Sequence, residues 1–314
     1  MAAVMNEGVL LMAYGAPERL DQVEAYYTDI RGGTPPSPAL LEELLGRYRA
    51  IGGGSPLSRI VERQRSALAA ELARRGRPAS VYAGMKHIGP FIRDVVGRIA
   101  NDGVEHVVAL ALAPQHSLFN AQTYGRAIED ATAALGATAP RFQVIGSWHD
   151  QPRLVEALAA ATAEALGRCS DPARAHVFFT AHSLPARVAG GTDPYAREVA
   201  ATAALVAERL GLTHCDVAFQ SAGRTRDTWI GPELGAEIGR VAAEGAREIV
   251  VCPVGFVADH LEVLYDIDVE ARAIASAAGV RLERARSMND DPVFIAGIAD
   301  LVAAALAEPV AVAS

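Results

Sequence analysis

The sequence predicts an α/β fold: two similar, doubly wound, Rossmann-like domains, each on a four-stranded parallel sheet. Eight short apolar runs rich in Val, Ile and Phe alternate with amphipathic segments of helical period. The β-α order never breaks, which implies parallel strands joined by right-handed crossovers. With 314 residues, 51% of them apolar, the chain can bury the cores of two domains.

The first strand, Val9–Tyr14, is a continuous apolar run that ends in a Tyr-Gly turn. Helices follow over Ala39–Ala50 and Leu57–Arg75. Strand Val81–His87 leads into helix Pro90–Asp102, strand His106–Ala113 into helix Ala121–Leu135, and Arg141–Ser147 is the fourth strand. The second set runs helix Pro152–Gly167, strand His176–His182, helix Tyr195–Gly211, strand Asp216–Ser221 and helix Gly235–Glu244. Strand Glu248–Pro253, helix Ala258–Ala278, strand Val280–Ala285 and helix Asp291–Ala307 complete it. Unbroken apolar runs fit strands buried on both faces of a parallel sheet. The stretch Trp148-His149-Asp150-Gln151-Pro152 reads as the switch between domains 1–148 and 149–314. The last helix, about 291–307, is a candidate to fold back onto the first domain.

Lys and Arg number 29 against 37 Asp and Glu, a net charge of −8 with both signs interspersed. No basic run is present, which argues against a nucleic-acid partner. Cys169, Cys215 and Cys252 are far apart and form no C-x-x-C pair. That suits a reducing cytoplasm and no disulfide framework. Met1–Gly8 lacks the charged start of an export signal, and Val9–Ala13 is too short for its apolar core. No stretch reaches the roughly 18 apolar residues of a membrane span. A cytoplasmic protein without a transmembrane segment is expected.

Ligands of such sheets sit beyond the carboxyl ends of the strands. Tyr14-Gly15, Lys86-His87, Pro114-Gln115-His116, His182-Ser183, Gln220-Ser221 and Pro253–Phe256 all fall there. On a helical wheel of about 100° per residue, Asp259, Glu262, Asp266 and Glu270 share an arc of roughly 80°. Val263, Ile267 and Leu264 form the apolar side, and Asp268 falls opposite the stripe, towards solvent. No Lys or Arg stands at i+4 to pair with Glu262 or Asp266. The spacing alone leaves a solvated acidic face and a ladder of oxygen ligands equally open. His182 is open in the same way: a neutral metal ligand or proton acceptor, or a histidine satisfying a buried carbonyl. His87 and His116 share that ambiguity, and His260 reads as a supporting partner or a packing residue.

Several stretches taken in order resemble the ferrochelatases, most closely the monomeric coproporphyrin ferrochelatases of bacteria. They are Leu11-Met12-Ala13-Tyr14-Gly15, Tyr27-Thr28-Asp29-Ile30-Arg31, Arg47-Tyr48 with Ile51–Leu57, Lys86-His87-Ile88, Ala181–Pro185 and Pro253–Glu262. The resemblance runs from about Val9 to Ala307. It implies a porphyrin cleft between two Rossmann-like domains and insertion of Fe²⁺ into a tetrapyrrole in haem biosynthesis. It implies that His182 and Glu262 are the catalytic metal-site pair. Asp266 and Glu270 match the acidic line continuing from it, along a helix that the family distorts. Tyr14 matches the tyrosine that approaches the metal from the opposite face. Arg31, Arg47, Tyr48, Ser55 and Tyr124 match positions that hold the macrocycle or its propionates, and Ile30, Lys86 and His87 join the substrate-binding set.

The tyrosine at 14 favours coproporphyrin III as substrate, with protoporphyrin IX, another tetrapyrrole and metal, or a non-catalytic carrier as alternatives. Iron is then a substrate, no cofactor is permanently bound, and the product passes transiently to the next pathway enzyme. With three cysteines and none after Cys252, no [2Fe–2S] cluster is expected. The chain departs from the commoner family wording at Ala222 and Arg224.

Overall fold

The computed structural model describes residues 6–189, 191–223 and 227–307. Arg224, one of the two departures, lies outside them. The strands are β1 Glu7–Ala13, β2 Ser80–Met85, β3 His106–Ala111, β4 Arg141–Ile145, β5 His176–His182, β6 Cys215–Gln220, β7 Glu248–Cys252 and β8 Arg281–Arg284. They form two all-parallel sheets of the same order, β2-β1-β3-β4 and β6-β5-β7-β8. The two sheets and the α/β class are as the sequence predicts. Val9–Met12 on β1 and Val250–Cys252 on β7 are fully buried, as central parallel strands require. The outer strand β4 is looser, with Val144 51% exposed.

The helices are α1 Val23–Ile30, α2 Pro38–Ala50, α3 Leu57–Arg74, α4 Ile92–Asn101, α5 Leu118–Leu135, α6 Pro152–Leu166, α7 Ala186–Ala189, α8 Tyr195–Leu210, α9 Leu234–Ala243, α10 Leu261–Leu264, α11 Arg272–Ala277 and α12 Pro292–Ala307. Helix α1 is absent from the sequence reading. Its Val-Glu-Ala-Tyr-Tyr-Thr run has weak helix propensity, and burial of Val23 decides it instead. Helix α6 starts where the Gln151 side chain accepts the Arg153 and Leu154 N–H groups ahead of Pro152. Helix α5 begins three residues earlier than the periodicity suggests. Asp193, from the other half of the chain, accepts the Leu118 N–H at 3.0 Å and caps it.

Helix α12 packs against both α3 and α6. Phe294, Ile298 and Val302 share one core with Val9, Leu11 and Leu68 of the first half. Ion pairs Arg75–Asp300 at 2.6 Å and Arg63–Asp290 at 3.0 Å tie α3 to the same end of the chain. The two strand sets thus share one interior, and the carboxyl ends of β1 and β5 are held in fixed relation.

The largest departure from the sequence reading is the acidic segment. Ala258–Ala278 is not one helix: α10 is followed by a π-helical turn over Asp266–Ala271 before α11. The Glu270 N–H reaches back five residues to the Tyr265 carbonyl at 2.9 Å. One extra residue in a turn rotates everything after it, so the 3.6-residue wheel fails beyond Tyr265. Asp259 precedes the helix altogether and binds Arg284, Ser287 and Asn289. It therefore leaves the stripe. Asp268 is not a solvated bystander either: Arg284 bonds it at 2.9 Å and Arg272 lies at 3.7 Å.

Candidate active site

In each sheet the strand order reverses direction beside the second-listed strand, and these switch points are where such folds bind ligands. The end of β1 delivers Tyr14 and the end of β5 delivers His182. Glu262 stands in the first turn of α10, its Oε1 3.4 Å from His182 Nε2.

The Ser183 carbonyl can only accept, so the hydrogen bond from His182 Nδ1 fixes the proton on that nitrogen. Nε2 then faces Glu262. Burial alone would lower the His182 pKa, but the Glu262 carboxylate outweighs it and raises the pKa to about 9. Burial pushes Glu262 the other way and loses to the same pairing, which holds its carboxyl well below the usual range. At neutral pH the pair is imidazolium and carboxylate. A second imidazole, His260, places Nε2 3.2 Å from Glu262 Oε2 and Nδ1 2.9 Å from the Ala258 carbonyl. It is a partner of Glu262 rather than a packing residue.

Asp266 is buried at the start of the π turn, hydrogen-bonded by the Ser221 hydroxyl. Burial raises its pKa to about 6, with Glu262 and Glu270 adding to the rise and Ser221 and Arg47 opposing it. Glu270 is exposed at the outer end of this line. The cation missing at i+4 comes from 219 residues away: Arg47 Nη1 lies 3.5 Å from Asp266 and the guanidinium sits 5.1 Å over the Tyr265 ring. A wheel drawn on one helix cannot show that partner.

The remaining predicted residues all come from the first half of the chain. Tyr14 is 41% exposed, with the His87 ring at 4.5 Å and the Lys86 ammonium 5.4 Å over its face. Lys86 also lies 6.0 Å from the buried Tyr124 ring, and burial lowers its pKa. Asp29 orients His87 through Nδ1 at 2.7 Å. Tyr48 is buried. Burial and the Glu262 charge raise the phenol pKa of Tyr14 and Tyr48 alike. Arg31 is exposed beside half-buried Ile30; its Nε donates to the Thr34 carbonyl at 3.2 Å, and among the described residues it makes no ion pair. Ser55 is wholly buried and its hydroxyl accepts the Leu57 N–H, so it shapes the entry to α3.

His116 is not part of this cluster; its backbone N–H bonds Glu198 at 2.6 Å. Two tyrosines escaped the sequence reading. Tyr26 feels Glu262, Tyr14 and Tyr48, and Tyr195 bonds the His182 carbonyl at 2.9 Å. Both lie in helices, where nothing in the local pattern marks them. Cys252 is buried in β7 with its thiol pushed up to about 12, as a packing residue would be. Among the described residues no cluster of three His, Cys, Asp or Glu side chains is gathered into a metal cage. No described helix is long and apolar enough to cross a membrane.

The turn after β7 approaches β5 closely. A Cβ on Gly255 would stand 2.6 Å from the Ala181 Cβ and 2.8 Å from its Cα. Gly255→Ala is therefore expected to destabilise the protein by about 1–3 kcal/mol through overpacking. Chemical denaturation measures this; an unchanged midpoint would show that the turn yields freely.

Two four-stranded parallel sheets of identical order are an arrangement this chain shares with solved chelatase structures. SirB from Bacillus subtilis with Fe³⁺ superposes with a TM-score of 0.60 at 14% identity, over 96% of each chain. CbiX, the terminal enzyme of siroheme biosynthesis in denitrifying bacteria, gives 0.55 at 16% identity, over 96% of this chain and 100% of that one. These likenesses speak for the fold.

The chain belongs to the ferrochelatase family: residues 6–306 match the family's sequence profile, Ferrochelatase. The coproporphyrin III ferrochelatase of Halalkalibacterium halodurans is 40% identical over 306 residues, covering 96% of this chain and 97% of that protein. The ferrochelatase of Herpetosiphon aurantiacus is 41% identical over 290 residues, covering 91% and 95%. The protein is a metal-inserting lyase whose substrates are a porphyrin and iron.

Proposed function

We propose that the protein inserts Fe²⁺ into coproporphyrin III, releasing two pyrrole protons and handing Fe-coproporphyrin to a later haem-pathway enzyme. One observation carries this reading: Glu262, paired with His182, also acts on Tyr14, whose ring carries the Lys86 ammonium over its face, while Arg47 stands beside Asp266. A macrocycle bearing four propionates needs such cations, whereas protoporphyrin carries two.

Metalation requires an acceptor for pyrrole protons and a ligand that takes the incoming ion. His182 suits both tasks once its Nε2 proton leaves, because imidazole is a good donor to Fe²⁺. Glu262 receives or relays that proton and adds an oxygen ligand. Asp266 and Glu270 supply the approach, since carboxylates hold the ion without binding it as tightly as a closed cage would. Tyr14 approaches the metal from the other macrocycle face. Propionate contacts to Arg31 and Arg47 offset distortion of the ring that exposes its nitrogen lone pairs. Ile30, Tyr48, Tyr124, Ser55 and His87 complete the porphyrin pocket. Iron is the substrate here, and no resident cofactor is invoked.

Turnover of Fe²⁺ with each porphyrin, followed by absorbance, tests the assignment. Coproporphyrin III is expected to give the higher kcat/KM. Faster turnover of protoporphyrin IX would overturn the choice of substrate and leave the family reaction standing.

A further inference from the structure

Gln220 is the last residue of β6 and lies in register with His182 on β5. It is 3% exposed. Its backbone carbonyl accepts the Ser183 N–H at 2.7 Å, and the Ser183 carbonyl in turn fixes His182 Nδ1. Its side chain turns the opposite way. Nε2 donates to the Glu262 main-chain carbonyl at 2.6 Å, which also fixes the amide orientation, since a carbonyl cannot accept from Oε1. One residue thus touches the backbones that carry both members of the pair.

Two further observations show that this position is held against an opposing cost. Gln220 Oε1 is buried without a partner among the described residues, and an orphaned buried acceptor is unfavourable. The next residue, Ser221, adopts a left-handed backbone with φ 63°, uncommon for a residue with a side chain. Its hydroxyl then meets Asp266, one turn beyond Glu262. The end of β6 therefore grips the acidic segment on either side of the place where the helix loses its regular period.

We propose that Gln220 is a positioning residue for metal insertion, setting the distance between His182 and Glu262 by bracing α10 through the Glu262 carbonyl. It touches neither metal nor porphyrin. Val263 is held in the core and Asp259 by Arg284, Ser287 and Asn289, while Gln220 holds the Glu262 carbonyl itself. This inference rests on the assignment of His182 and Glu262 as the metal-site pair.

Gln220→Met keeps side-chain length and removes both the donor and the orphaned acceptor. The expected result is a thermal midpoint equal to or above that of the parent and porphyrin affinity within about twofold by fluorescence quenching. The KM for Zn²⁺, used as an oxidation-resistant substrate ion, should rise about tenfold to 100-fold, the usual effect of losing a group that orients a ligand. Unchanged KM and kcat for Zn²⁺ would overturn the proposal. So would a lowered midpoint with porphyrin and metal affinities falling together, since that marks a purely structural role. His182→Ala and Glu262→Gln run in the same assay. If either retains insertion, the site assignment has failed and the proposal falls with it. If both lose insertion while Gln220→Met does not, the brace alone is wrong.

Discussion

Replacing His182 with alanine is expected to lower metal insertion by about 100- to 10,000-fold while leaving porphyrin binding intact. On the proposed reading the imidazole is where proton and metal chemistry meet, because Nδ1 is committed to the Ser183 carbonyl and Nε2 faces Glu262. The proposed porphyrin anchors lie on other elements, so truncation at the end of β5 leaves them in place. Fluorescence quenching by coproporphyrin reads binding, and single-turnover absorbance reads insertion. A variant that loses both in parallel would show that His182 holds the macrocycle. One that keeps insertion would remove His182 from the chemistry and reopen the carrier reading.

The second large effect is expected from Glu262→Gln. The amide keeps the shape of the carboxylate and removes its charge, so burial of His182 is no longer outweighed. The His182 pKa should fall from about 9 to at or below its ordinary 6.5, followed by NMR titration of the ring. Metal insertion should fall at least about 100-fold, as proton relay and oxygen ligand are lost together.

The sign of the stability change follows from linkage. His182 has a raised folded pKa, so its contribution is fully present below pH 6.5 and is lost as pH rises through about 9. Glu262 is depressed, so its contribution is present above pH 4.5 and is lost on acidification. The pair stabilises the parent most between pH 4.5 and 6.5. The variant should lose most stability in that window and progressively less towards pH 9. A pH-independent difference in unfolding midpoint would show that the pair is uncoupled.

Both results depend on a site that was partly legible before any coordinates. The strands were legible because parallel strands bury both faces and leave continuous apolar runs such as Val9-Leu10-Leu11-Met12. Their carboxyl ends were legible with them, and so Tyr14, His87 and His182 were placed at strand ends. Predicted strands such as His106–Ala113 overran by one or two residues because the site-bearing turns continue the apolar pattern after the ladder has stopped. Individual roles for Arg31, Tyr48 and Tyr124 came from resemblance and not from periodicity, since a lone Arg or Tyr carries no local signature.

The sequence by itself determined the two parallel sheets, the family, and the presence of acids along the segment after Gly255. Those properties follow from local periodicity and from motifs read in order. Only the tertiary structure decided which acids lie near His182 and which are paired elsewhere. The π turn at Asp266–Ala271 rotates the helix, Arg284 ties up Asp259 and Asp268, and Arg47 reaches Asp266 from α2 in the first half of the chain. A helical wheel assumes a constant rotation per residue and knows no long-range partners. The extra residue in one turn breaks the first assumption, and burial between two packed halves supplies the partners.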